Sequence, residues 1–311
     1  MMATPNELQE RLVRYADLRP CFNAFIDTRT PGSEAKENFT IIGPGVSENP
    51  EQHVHIAEPH GFNIGGARQP PGCVNSQHSH DTAEVFLVHT GTWRFDMGEH
   101  GDDAQVTLEA GDIISIPTGI FRGFTNVGHS TGYLFAILGE DDPGRVMWAP
   151  KVFEMAKDYG LVLLESGRLI DRKNGESVPS DVAVMPPPGA DDLARMKIVS
   201  QPEAEALVWR AKDKCTGFSD TVIGPEGFFD WPHGFTVKHV GPSHKRPAYS
   251  EVRPDARVVF VHRGWARIAI DGTCIELAAG DTYSVPASCE HNIEAEDDTI
   301  LLIVDRVRPS R

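Results

Sequence analysis

Nowhere in the chain do apolar residues run long enough to cross a bilayer. The longest such runs, residues 133–138 and 300–304, fall far short of the ~20 residues a spanning helix needs. No basic stretch leading into an apolar one opens the chain, so no secretory signal is expected. Cysteine is scarce: Cys21, Cys73, Cys215, Cys274 and Cys289 are scattered, odd in number and contain no CxxC pair. That pattern excludes a disulfide scaffold or zinc finger and reads as reduced thiols in a cytoplasmic protein. Positive charge is also in deficit, with 29 Lys and Arg against 45 Asp and Glu and a net charge of −16. Such a surface repels nucleic acid and anionic lipid. A Gly-rich phosphate loop and a nucleophile elbow are missing too. What is present is a 311-residue chain, 40% hydrophobic, with material for about two domains of ~150 residues each.

Apolar residues at Leu8, Leu12, Val13 and Tyr15 predict one amphipathic helix over 6–18. A stretch rich in Gly, Pro and Asn follows, so residues 1–50 read as a helix and an irregular arm. From about residue 52 the pattern changes to short runs of β-branched and aromatic residues broken by Gly and Pro, as at 84–89, 93–97, 113–116 and 133–138. Strands at this spacing predict a sandwich or barrel over 51–140. Residues 141–192 read as a linker with a short helix over 150–159 and a Pro-rich stretch over 185–189, and a second β-rich unit fills 193–311.

The two β-rich units repeat one another. Pro59-His60-Gly61-Phe62 recurs as Pro232-His233-Gly234-Phe235, 173 residues on, and Ala83, Val85, Val88 through Gly91 align at the same offset with Ala256, Val258, Val261 through Gly264. After a hairpin four residues shorter, Gly111, Asp112 and Pro117 return as Gly280, Asp281 and Pro286 at an offset of 169. Register held across so many Gly and Pro positions marks a tandem duplication of one β domain.

The chemistry concentrates in the first repeat. His78 and His80 stand two apart on an extended strand and so project to one face, and Glu84 lies further along that face. Two imidazoles and a carboxylate converging inside a barrel form a facial triad suited to Fe(II), and usable by Mn, Ni or Zn. The bland alternative is a His-x-His pair on a strand surface.

Residues 72–91, with Gly72, His78, His80, Glu84 and Gly91 in place, resemble the first signature of the cupin family. Gly111, Pro117, Gly119 and Asn126 resemble the second. The resemblance implies an all-β fold of two tandem jelly-roll barrels, a bicupin similar in layout to quercetin dioxygenase-like and gentisate dioxygenase-like proteins. It implies one divalent transition metal, Fe(II) favoured, and a dioxygenase acting with O2 on a small phenolic or organic-acid substrate. A redox-neutral isomerase or lyase, or a non-catalytic small-molecule-binding bicupin, are the alternatives. The family's fourth ligand is replaced by Arg122, which has no lone pair to give a metal. Arg122 can anchor a substrate carboxylate or enolate, pair with Glu84, or point outward. Catalysis is therefore assigned to Arg122 and Glu84, and metal binding to His78, His80 and Glu84.

In the second repeat the ligand positions become Glu251, Arg253 and Arg257, while His291 stands where Arg122 does. This set repels a cation, so the second barrel is expected to be metal-free, closed by Glu251 pairing with Arg253 or Arg257, or else to bind an anion. His53 and His55 lack a carboxylate at ligand spacing and read as part of a strand. His60 and His233 read as structural hydrogen-bonding residues near turns, and His89 and His262 as pointing away from the site. The arm is long enough to pack across a neighbouring subunit, giving a homo-oligomer, or over its own second barrel.

Overall fold

The computed structural model describes residues 4–214, 219–241, 249–250 and 252–308. Among them no helix is long and apolar enough to cross a membrane. The chain forms two β-barrels, each a larger sheet facing a smaller one. In the first, a seven-stranded sheet runs in the order Val208–Trp209, Ile113–Ile116, Glu84–Thr90, Gly132–Gly139, Phe62–Gln69, Glu37–Ile42, Val54–Ile56. The five-stranded sheet opposite it runs Val146–Trp148, Val74–His80, Arg122–Asn126, Thr92–Met97, Ala104–Glu109. The second barrel packs a six-stranded sheet, Leu12–Val13, Thr282–Val285, Arg257–Arg263, Ile300–Arg306, Phe235–Val240, Ser219–Ile223, over four strands centred on His291–Ala295 and Trp265–Ile270.

The two larger sheets lie face to face, which explains the apolar runs at 133–138 and 300–304. A strand covered on both faces has no polar side to show. Along Glu84–Thr90 the residues Val85 and Leu87 pack into the seam between barrels, while Phe86 and Val88 pack inside the first barrel. Repeat-related residues meet at the seam: Phe62 with Phe235 at 5.9 Å between ring centroids, and His89 with His262 at 5.5 Å. His60 Nε2 lies 2.7 Å from Ser284 Oγ and His233 Nε2 lies 2.7 Å from Ser115 Oγ. The two histidines of the repeated Pro-His-Gly-Phe thus tie each repeat to the other, a structural role.

The helix predicted over 6–18 is corrected. Only Pro5–Gln9 is α-helical, and Leu12–Val13 is a strand paired with Tyr283 and Thr282 of the second barrel. The same segment exists in the second repeat, where the helix Gln201–Ala206 precedes Val208–Trp209, paired with Ile114 and Ile113 of the first barrel. The correspondence is detailed. Thr4 and Ser200 cap the helices with Glu7 and Glu203. Arg14 donates to Asp281 Oδ2 (2.7 Å) and the Glu276 carbonyl (2.8 Å), and Arg210 to Asp112 Oδ2 (3.0 Å) and the Thr107 carbonyl (2.6 Å). The Tyr15 and Ala211 amides donate to the other oxygens of the same aspartates, each at 3.0 Å. Each repeat therefore sends its leading segment across to close the other's barrel. The mixture of apolar and polar positions over 6–18 serves a strap lying on a foreign sheet, α-helical only over Pro5–Gln9 and with a 3-10 turn at Tyr15–Asp17.

The arm is also more ordered than its composition predicts. Glu37–Ile42 pairs antiparallel with Phe62–Gln69, and Val54–Ile56, carrying His55, pairs parallel with Glu37–Ile42. Of the two places expected for the arm, its opening segment lies over the second barrel of its own chain. The helix expected over 150–159 is present as Pro150–Asp158, and the Pro-rich stretch packs down, with Met185 donating its amide to the Leu163 carbonyl.

Two outcomes follow for stability. Asp112→Ala and Asp281→Ala each strand a part-buried backbone amide from the strap and another from the residue three before the aspartate (Glu109, Ala278). Each substitution is expected to cost about 3 kcal/mol in chemical denaturation, with the two alike because the latches are equivalent. The seam histidines set a pH dependence. Burial pushes His89 and His239 down to about 4 and His262 to about 3, the last helped by the neighbouring His89 and His239. An imidazole whose folded pKa lies below its unfolded value stabilises fully above pH ~6.5 and loses that contribution as the pH falls toward 4. At pH 5 each is expected to forfeit about 2 kcal/mol. Melting temperature should hold above pH 7 and fall by several degrees by pH 5; a flat profile would contradict a seam of neutral histidines.

Candidate metal centre

The Val74–His80 strand carries His78 and His80 on its inner face, and a three-residue turn delivers Glu84 at the start of the next strand. All three are buried, and their ligand atoms lie within 4.8 Å of one another. They are the one such group of His, Cys, Asp and Glu among the described residues. Arg122 begins the strand beside His78, where the register shifts between Arg122 and Phe124. Such a bulge re-aims side chains next to a site. Gly123 sits at the bulge because a Cβ there would collide with Gln77 Oε1. Gln77 points away from the site and donates to the carbonyls of Asp96 (2.9 Å) and Gly98 (2.7 Å).

The donor set suits a divalent ion. His78 Nδ1 donates to the Ser76 carbonyl at 2.7 Å, which leaves Nε2 as the lone-pair nitrogen. Burial pushes His78 and His80 well below the usual imidazole range, and the Arg122 cation pushes in the same direction. Both rings are therefore neutral and able to ligate. His80 Nδ1 is buried without a hydrogen-bond partner, and His80 Nε2 lies 3.5 Å from Glu84 Oε2. Burial pushes the Glu84 carboxyl up, and Arg122 pulls it back.

Of the three roles open to Arg122, the structure shows the ion pair. Its Nη2 donates to Glu84 Oε2 and its Nη1 to the His78 carbonyl at 3.2 Å. The side chain is fully buried and stands behind Glu84 rather than on the wall of the cavity. Two of its donors are thus turned to groups on the ligand segment, while its Nε is buried without a hydrogen-bond partner.

That cavity has a volume of about 70 Å3 and is walled by His78, His80, Glu84, Phe86 and Phe124, with Gly65, Ala67 and Ala136 as its small-residue floor. Phe124 lines it and Phe121 packs elsewhere. Its remaining wall comes from the segments whose composition predicts only arm and linker. Phe25, Ser47 and Trp148 all border it. The Trp148 ring lies 5.1 Å from that of His78 and 5.8 Å from that of Phe25. Behind them, Lys36 and Asp27 form a fully buried ion pair; Lys36 also donates to Asn75 Oδ1 (3.1 Å), and Asp27 accepts the Ser76 amide (3.0 Å). The sequence signal for this wall is Gly65-Gly66 within a strand, which marks close approach. Nothing in the composition of the arm marks Lys36, Asp27 or Glu48.

In the second barrel, Arg257 stands at the Glu84 position and makes two hydrogen bonds to Asp305, at 2.8 and 2.9 Å. Arg253 lies 3.3 Å from the same carboxylate, and His291 Nε2 is 3.4 Å from Arg257 Nη1. The carboxylate seen to close this interior is Asp305, which follows an apolar run and carries no motif to mark it. Glu251 and Cys215 lie outside the described residues. His89 and His262 face the seam, away from the site.

Residues 67–138 match the family model described as a cupin domain. An acireductone dioxygenase of Phaeosphaeria nodorum is 34% identical over 76 residues, 24% of this chain and 41% of that protein, so the match spans less than half of that relative's length. Among solved structures, protein Ylba of E. coli, assigned to family model DUF861, superposes with a TM-score of 0.56 at 12% identity, covering 96% of this chain and 92% of that one. The oxalate decarboxylase of Lactobacillus farciminis gives 0.55 at 13% identity, covering 95% and 86%. That of Bacillus subtilis gives 0.53 at 14%, covering 95% and 76%. At these identities the likeness is one of fold, and it runs through both repeats. The first barrel thus matches a cupin domain over residues 67–138, and the chain as a whole shares the fold of these solved structures.

Proposed function

We propose that the first barrel is a divalent-metal enzyme, Fe(II) favoured, that oxygenates a small organic acid with O2. The observation that carries this reading is the convergence of His78, His80 and Glu84 on one cavity inside the barrel. The bound ion would supply Lewis-acid polarisation and open positions for substrate and dioxygen. The remaining work falls to side chains. Ser76 fixes the His78 ring so that Nε2 is the nitrogen on offer, and Arg122 holds the Glu84 carboxylate through Oε2. Phe86, Phe124 and Leu138 give the cavity apolar walls that exclude water from the reacting groups.

Size and charge narrow the substrate. A cavity of about 70 Å3 is half the ~150 Å3 that accommodates benzene in an apolar core, which favours a small acid over a phenol. Glu84 and Arg122 cancel in charge, so an ion bound here would bring its full positive charge into a buried site. An isolated buried charge is costly, and a negatively charged substrate relieves it. The 34% identity to part of an acireductone dioxygenase supports the oxygenase chemistry.

Elemental analysis of untagged protein is expected to give about one equivalent of transition metal, and none in His78→Ala/His80→Ala. Iron with O2 uptake on addition of small acids supports the reading. Turnover without O2 uptake would move it to a redox-neutral lyase or isomerase, and protein that stays metal-free after anaerobic Fe(II) and Mn(II) reconstitution would defeat it. Arg122→Gln removes a cation from beside the site and should tighten metal binding about tenfold in a direct titration. It should also weaken binding of the acid, since the site then carries less positive charge. Unchanged metal affinity would show that Arg122 does not act on the centre electrostatically.

A further inference from the structure

The carboxylate of Glu48 has no part in the metal reading, yet it is buried and bonded through both oxygens. Oε1 accepts the Trp148 indole N–H and Oε2 accepts the Ile26 amide, each at 2.6 Å. Its backbone is fixed as well, with its amide donating to the Ala24 carbonyl and its carbonyl accepting the Leu169 amide, each at 2.8 Å. Glu48 is therefore a rigid acceptor rather than a side chain that found a convenient partner. Trp148 is 1% exposed and pairs in register with His78 across adjacent strands.

Trp148 also stands between two spaces. One is the metal cavity; the other is an outer pocket of about 250 Å3 bordered by Asp81, Arg145, Met147, Phe153 and the Met185–Pro188 stretch. Trp148 and its neighbour Val146 line both. The outer pocket carries Arg145 together with the carboxylates of Asp81 and Asp192 and an apolar wall, and Trp148 borders it.

We propose that Glu48 is a positioning residue: by holding the indole N–H it keeps Trp148 in place as the partition between the metal cavity and the outer pocket, and small ligands pass between the two when that hydrogen bond opens. The carboxylate is matched to this task because it offers one acceptor to each of two buried N–H groups. An amide in its place offers one acceptor and presents N–H to the other donor. Loss of a buried hydrogen bond shifts an open–closed equilibrium about tenfold.

The proposal rests on the metal reading for one readout and stands apart from it for a second. In the first, full-length protein loaded with Co(II) is mixed with azide, and the association rate is followed by the change in visible absorption. Glu48→Gln should raise that rate about tenfold in protein that stays folded, its melting temperature lowered by a few degrees. Trp148→Phe, which keeps a ring but removes the N–H, should act alike, and the double variant should show no further gain, since both substitutions break the same bond. In the second, acrylamide quenching of the Trp148 fluorescence, taken as the difference from Trp148→Phe, should rise in Glu48→Gln. A wild-type azide rate in folded Glu48→Gln, or effects of the two variants that multiply, would overturn the proposal. Should Glu48→Gln fail to fold, Trp148→Phe breaks the bond from the other side, and a wild-type azide rate there is equally fatal. If wild-type protein takes up no Co(II), the metal reading fails, and the quenching comparison alone decides the role of Glu48.

Discussion

Each barrel is closed by chain that belongs to the other, and the closure turns on two aspartates. Asp112 and Asp281 stand at the turn before an edge strand of the larger sheets, and each takes a backbone amide and an arginine from the opposite repeat. Without the straps, the Ile113–Ile116 and Thr282–Val285 strands would end their sheets with unpaired backbone groups, an invitation to foreign pairing. With them, the two larger sheets are brought back to back, and everything at the seam must be apolar or neutral. The repeated His60–Ser284 and His233–Ser115 bonds and the facing His89 and His262 all follow from that one exchange.

The exchange also explains where the metal cavity could develop. The straps recur at an offset of 196 residues and the barrels at 173, so the first repeat holds 23 residues more than the second between strap and barrel. Those residues lie in the arm that contributes Phe25, Asp27 and Lys36. A fully buried lysine is tolerable only beside a buried acid, and the Lys36–Asp27 pair, anchored to Asn75 and Ser76, braces the ligand strand from behind. The second barrel has no segment of that length to build such a wall. Duplication supplied two barrels, and the insertion in one of them supplied the enclosure that a buried reaction needs.

Features that depend on local spacing are legible in the amino-acid sequence itself. His78, His80 and Glu84 follow from strand periodicity, and the duplication follows from repeated Gly and Pro at turns whose geometry demands them. Gly91 and Gly264, at φ 90° and 81°, are a repeat-related pair of this kind. Features that depend on where distant chain lands are not legible there. The strap at Leu12–Val13 carries an apolar spacing that satisfies a helix as well as a strand, and only its partner on the second barrel decides between them. Glu48 and Trp148 lie 100 residues apart, in an arm and a linker whose composition promises irregular chain. Motif position puts Arg122 at the centre, but its direction, toward Glu84 and not into the cavity, is set by packing.

The second barrel shows how thoroughly the two interiors have separated. Both bury an arginine against a carboxylate, but with the parts exchanged. In the first, the acid Glu84 sits at the start of the central strand and Arg122 comes from the smaller sheet. In the second, Arg257 occupies the Glu84 position and the acid, Asp305, comes from the adjacent strand, opposite Arg257 in register, where the first barrel has Leu138 opposite Glu84. Returning an acid to position 257 would set two carboxylates side by side in a low-dielectric interior, and one would have to take up a proton. Replacing Arg253 by histidine would still leave the Arg257 cation at the third ligand position. No single substitution crosses from one arrangement to the other, because the acid and the arginine have exchanged places. The asymmetry between the barrels is therefore held in place by electrostatics, with one interior open to a divalent ion and the other satisfied by its own salt bridge.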